Sequence, residues 1–108
     1  MDIYTDGSGD GRYCYVADGK PKISRKNGIT HNEAEYIAIV VALKENFDKG
    51  IRILSDSQLA VRQLNKKYKI KEYRLKKLAE EVWKLVEGRN VTFVWIPRER
   101  NKAGKVLG

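Results

Sequence analysis

Two runs of strand-forming residues, Ile3-Tyr4-Thr5 and Ile51-Arg52-Ile53-Leu54, flank one long helix-forming segment. A strand, a helix and a second strand in that order imply a crossover connection, which makes the two strands parallel neighbours with the helix packed on their sheet. The helix start is written in Thr30-His31-Asn32-Glu33, a capping box in which the threonine hydroxyl and the glutamate carboxylate satisfy free backbone amides. Tyr36, Val40, Leu43 and Phe47 then recur at helical spacing beside Ile37 and Val41, so the pattern predicts a helix over 31–48 with a wide apolar face, ended by Gly50.

The remaining elements fit around that crossover. Asp6-Gly7 to Gly11 and Asp18-Gly19 are turn signals separating three strand-like runs, an antiparallel meander. A second helix is expected from Ser57 with Leu59, Ala60, Val61 and Leu64, a third over 71–87, and a last strand over 91–96 closed by Pro97. The order describes an α/β domain, a five-stranded mixed sheet with helices packed on it. There is no internal repeat, low-complexity tract or linker, and 108 residues suit a single domain over 1–108.

Charge and cysteine usage bound the surroundings. Twenty-two Lys and Arg against 14 Asp and Glu give +8 and a pI near 9.6, which favours an anionic partner. Cys14 lies in a strand run and has no second cysteine to pair with, as suits a reducing compartment. No stretch has the length of a membrane span, and the chain starts directly into a strand without a charged-then-apolar leader, so the expected location is cytoplasmic and no membrane partner is expected.

Three carboxylates stand out by position. Asp6 ends the first strand and Asp56 the fourth, so parallel neighbours bring both to one edge of the sheet, where open α/β sheets build their sites. Glu35, one turn into the crossover helix, shares a stripe with Ala38 and Ala42, whose small side chains allow a close approach to the sheet. Singly, these acids read as a turn aspartate, a helix cap before Ser57 and a first-turn glutamate. Together they repel unless a cation lies between them, and Mg²⁺ is the natural one for hard oxygen ligands. His31, the single histidine, reads as a surface residue at the helix start.

Tyr4-Thr5-Asp6-Gly7-Ser8, Thr30-His31-Asn32-Glu33-Ala34-Glu35-Tyr36 and Ser55-Asp56-Ser57-Gln58 resemble the successive signatures of type 1 ribonuclease H. Tyr68-Lys69-Ile70-Lys71 and Trp95-Ile96-Pro97-Arg98-Glu99-Arg100-Asn101 are similar to segments of its compact archaeal and bacterial branch, so the resemblance covers almost the whole chain. It implies the ribonuclease H-like fold, strand order 3-2-1-4-5 with helices on both faces, a monomer, and hydrolysis of the RNA strand of an RNA–DNA hybrid. It also implies two Mg²⁺ ions, with Mn²⁺ as the alternative, about 4 Å apart around the scissile phosphate. Asp6 would bridge both ions, with Glu35 and Asp56 completing the ligand set. Gly7, Ser8, Gly9, Asn32 and Gln58 would touch the hybrid, with double-stranded RNA as another partner. Lys69 and Lys71 belong to a basic run with Lys66, Lys67, Arg74, Lys76 and Lys77 that can grip phosphates.

The last family signature, Asn-x-x-Ala-Asp-x-Leu, is not matched. Counting from Asn101 places Lys105 at the aspartate, and a shift of one places Gly104 there; neither is a carboxylate. A lysine at that point would compete with a metal for the same space. Two readings therefore stand: a metal-dependent endonuclease impaired at its fourth ligand, or a catalytically silent module that binds hybrid or duplex RNA.

Overall fold

Asp18 and Gly19 both take positive φ, 52° and 73°, the two-residue turn that an Asp-Gly pair suits, and it folds β2 (Arg12–Ala17) onto β3 (Lys20–Arg25). The computed structural model describes residues 1–108. With β1 (Asp2–Gly7), β4 (Gly50–Ser55) and β5 (Asn90–Trp95), these strands form one mixed sheet in the order β3-β2-β1-β4-β5. The meander is antiparallel, while β1 pairs parallel with β4 and β4 with β5. Both parallel pairs are joined by helical crossovers: α1 (His31–Glu45) leads into β4, and α2 (Gln58–Leu64) and α3 (Tyr73–Leu85) lead into β5. A 3₁₀ turn at Arg98–Arg100 precedes α4 (Lys102–Leu107). No helix is long and apolar enough to cross a membrane.

Alternation along the strands assigns the two faces. Ile3, Tyr15, Ile51 and Ile53 face a main core completed by Tyr36, Ile39 and Leu43 of α1 and by Leu75, Ala79 and Val82 of α3. Cys14 and Val16 point the other way, under Ala103 and Leu107 of α4, with Tyr4 packed beside them. Helices thus cover both faces, and Cys14 is the packing residue its strand position suggests.

Several element ends differ from the expected ones. The capping box is present, with Glu33 N donating to Thr30 Oγ1 and Thr30 N to Glu33 Oε1, both at 3.1 Å. However, α1 stops at Glu45 instead of Asp48, and Gly50 starts β4 instead of ending the helix. The Asn46 side chain donates to Ala42 O, while the Arg89 guanidinium donates to Leu43 O and Asn46 O. These donors satisfy the final helical carbonyls in place of a glycine cap. Phe47 consequently lies outside the helix and is 75% exposed under Arg89, not part of the apolar face. α3 is shorter than expected at both ends, and a short helix, α4, follows the last strand, which the sequence pattern did not assign. Trp83 is half-buried against the main core, and its indole N–H donates to Leu64 O.

One close approach positions the crossover helix. A Cβ at Gly7 would stand 2.4 Å from both Ala34 C and Glu35 N, so the absence of a side chain lets α1 rest against the end of β1. Gly7→Ala should cost about 3 kcal/mol through this backbone clash, read as a drop of roughly 10 °C or more in unfolding temperature. An unchanged midpoint would show that α1 can retreat freely.

Candidate functional site

The contact at Gly7 brings Glu35 over the end of β1, where Asp6 leaves the strand towards the α4 side. Asp56 arrives from β4, one residue beyond the strand end; Ser57, not Asp56, caps α2, its hydroxyl accepting from Ala60 N at 3.1 Å. That capping frees the Asp56 carboxylate for the cluster. One oxygen from each of Asp6, Glu35 and Asp56 lies within 4.8 Å of the others.

Burial makes this arrangement costly in the absence of a cation. Glu35 is 4% exposed, and its Oε2 is buried with no hydrogen-bond partner. Desolvation first, then the Asp6 and Asp56 charges, push its carboxyl up to about 9. Asp6 is also raised, chiefly by desolvation and then by Asp56, with Arg98 among the influences in the opposite direction. An orphaned buried oxygen facing two further carboxylates fits a hard divalent cation, which supplies the opposing charge.

Other residues hold the acids in place. Asn101 is fully buried; its amide donates to Thr5 O at 2.9 Å and Asp56 Oδ2 at 3.1 Å, while Oδ1 caps α4 through Ala103 N at 3.1 Å. This side chain ties α4 to the end of β1 and orients Asp56. His31 Nε2 lies 3.2 Å from Glu35 Oε1, across one turn of α1. The surface reading of His31 holds for its exposure, but it also touches the cluster, as its i, i+4 spacing from Glu35 would indicate.

A cavity of about 340 Å³ opens over the acids, lined also by Gly7, Ser8, Gly9, Arg12, His31, Asn32, Ser57, Arg98 and Gly104. Gly7, Ser8, Gly9 and Asn32 therefore share the acid cavity. Gln58 is exposed at the start of α2, and Lys69 and Lys71 lie on the α2–α3 connection; none of the three lines it. Arg12 and Arg98 were not singled out from the sequence, because nothing in their local pattern distinguishes them from the other basic residues. At the C-terminal register, an ideal Cβ at Gly104 would lie 3.6 Å from Asp6 Oδ2 and 3.7 Å from Asp56 Oδ2. Lys105 is exposed and lines other grooves, one of them with Tyr4, Arg52 and Glu99. Gly104, and not Lys105, overlooks the carboxylates.

This sheet order and crossed helices, with acids at the carboxyl ends of β1 and β4, define a ribonuclease H-like domain. Residues 10–107 match the family model described as reverse transcriptase-like, and the chain belongs to that family. It is 30% identical over 97% of its length to the Pol polyprotein of equine infectious anemia virus (isolate 1369), but spans only 9% of that polyprotein. The solved structure of LC11-RNase H1, isolated from compost by a metagenomic approach, superposes with a TM-score of 0.84 at 33% identity, covering 98% of this chain and 90% of that one. LC11-RNase H1 in complex with RNA/DNA hybrid gives 0.79 at 27% identity, with 99% of both chains covered.

The raised Glu35 carboxyl carries a pH signature. In metal-free buffer the native state keeps a proton that the unfolded chain releases near 4.5, so stability is full below that pH and declines as pH rises towards about 9. Thermal unfolding in EDTA from pH 5 to 8.5 should show a falling midpoint, flattened by Glu35→Gln. A flat profile in the unsubstituted protein would contradict the burial and neighbouring charges that raise the Glu35 carboxyl.

Proposed function

We propose that this chain is a ribonuclease H, a metal-dependent endonuclease that hydrolyses the RNA strand of RNA–DNA hybrids. The observation that carries the proposal is the three-carboxylate cluster, buried Glu35 with half-buried Asp6 and Asp56, at the mouth of a cavity rimmed by Arg12, Arg98 and Asn32. Structural likeness to a ribonuclease H1 bound to RNA/DNA hybrid supports the substrate class.

Asp6, Glu35 and Asp56 would hold Mg²⁺ or Mn²⁺. Such ions supply activation of water and neutralisation of charge developing on phosphate and on the departing 3′ oxygen. The chain's own groups do the positioning. Asn101 fixes Asp56, and His31 holds one oxygen of Glu35. Arg98 adds positive charge at the rim that draws a phosphodiester towards the acids, while Arg12 at the same rim is paired with Asp10 at 2.9 Å. Asn32 presents an amide at the same mouth for the sugar edge of the RNA, the kind of contact that distinguishes a hybrid from duplex DNA. In the balanced reaction, water adds its oxygen to phosphorus, the bond from phosphorus to the 3′ oxygen breaks, and that oxygen takes up a proton.

Gly104 favours a second reading, hybrid binding without cutting, because the side of the cluster under α4 offers no carboxylate. Labelled hybrid, duplex RNA and duplex DNA incubated with Mg²⁺ or Mn²⁺ separate the readings. The nuclease should cut the RNA of the hybrid alone, Asp6→Asn should lower the rate at least about a hundredfold, and Gly104→Asp should raise it or lower the Mg²⁺ concentration required. Hybrid binding without metal-dependent cleavage would favour the silent module. An equal gain from Lys105→Asp would contradict the placement of Gly104.

A further inference from the structure

The acid cavity contains one side chain with a nitrogen lone pair to offer. Asn32, Arg12 and Arg98 line it with nitrogens that only donate hydrogen bonds, whereas the imidazole of His31 can ligate a metal. His31 is the chain's single histidine, the first residue of α1, one turn before Glu35. Its Nε2 stands 3.2 Å from Glu35 Oε1. The two oxygens of this carboxylate therefore differ: Oε2 is buried without a partner, and Oε1 faces a nitrogen.

The two partners also differ in freedom. Glu35 is 4% exposed and held by the close approach of α1 to Gly7. The His31 side chain is 60% exposed and makes no other hydrogen bond, so its ring is free to turn towards whatever binds at Oε1. Without a metal the ring nitrogen and Oε1 satisfy each other. The same separation suits a cation shared between them, because two ligand atoms 3.2 Å apart, at bonds of about 2.1 Å, subtend roughly 100° at the ion. That angle lies between those of octahedral and tetrahedral coordination.

A nitrogen ligand changes which cation is favoured. Mg²⁺ takes oxygen ligands and keeps several waters, while Zn²⁺ combines imidazole with carboxylate readily. We propose that His31 Nε2 and Glu35 Oε1 form a mixed nitrogen–oxygen end of the acid cluster that binds Zn²⁺-class cations in preference to Mg²⁺, so that zinc competes with Mg²⁺ for Glu35. The proposal rests on the cation reading of the three acids and adds to it a ligand of another kind.

The single histidine makes the test direct, since selective ¹⁵N-histidine labelling reports this ring alone. Zn²⁺ added to the nucleic-acid-free protein should move the Nε2 resonance to the metal-bound position, and Mg²⁺ should not. Calorimetric titration should show His31→Asn weakening Zn²⁺ binding about tenfold while Mg²⁺ binding stays within twofold, which also reports that the variant folds. A merely positioning histidine would weaken both ions alike. The proposal is overturned by an Nε2 resonance that stays in place at saturating Zn²⁺, by equal losses for Zn²⁺ and Mg²⁺ in His31→Asn, or by an undiminished Zn²⁺ response in Glu35→Gln, where His31 would be acting alone. Saturable binding of neither ion would remove the cation reading of the acids as well, whereas Zn²⁺ and Mg²⁺ binding that His31→Asn leaves untouched would remove this proposal only.

Discussion

Everything at this site depends on holding three carboxylates together against their own repulsion. Glu35 is buried, one of its oxygens has no partner, and both neighbouring charges disfavour its ionisation. A chain tolerates such a group where the rest of the fold over-determines its position, and here three separate elements do so. β1 delivers Asp6, the β4–α2 junction delivers Asp56, and α1 is pressed close enough at Gly7 to deliver Glu35. The parallel β1–β4 pairing puts the first two acids side by side, so the topology and the chemistry are one constraint.

α4 completes the arrangement from the opposite face. Its cap, Asn101, is also the donor to Thr5 O and Asp56, so the helix that carries Gly104 is fixed to the acids by the residue that starts it. A glycine on that helix, at position 104, leaves the α4 side of the cluster open. The same small residue leaves ordinary contact space for a side chain, with its nearest neighbours at 3.6 Å or more. Two arginines rim the acid cavity, while most of the net positive charge lies on the α2–α3 segment.

Much of this was legible in the residues. The capping box, the Asp-Gly hairpin and the helical crossover are local patterns whose physics does not depend on distant contacts, and they placed α1, the meander and the parallel strands. The convergence of Asp6, Glu35 and Asp56 followed from the crossover. What stayed hidden rests on long-range partners. The end of α1 is set by Arg89, 46 residues from the Leu43 carbonyl it serves. The choice between Gly104 and Lys105 depends on how Asn101 turns α4 against β1, which no spacing rule states. The His31–Glu35 contact is readable from its i, i+4 spacing, although in sequence a lone histidine beside one acid shows no metal-ligand spacing.

We propose that Asp6, Glu35 and Asp56 form a divalent-cation site. Anomalous-scattering density from crystals grown with Mn²⁺ tests it directly. A peak is expected among these three side chains, within about 2.3 Å of their oxygens, and it should disappear in Asp6→Asn crystals. Density absent from the cluster at saturating Mn²⁺, or present there unchanged in the Asp6→Asn protein, would contradict it.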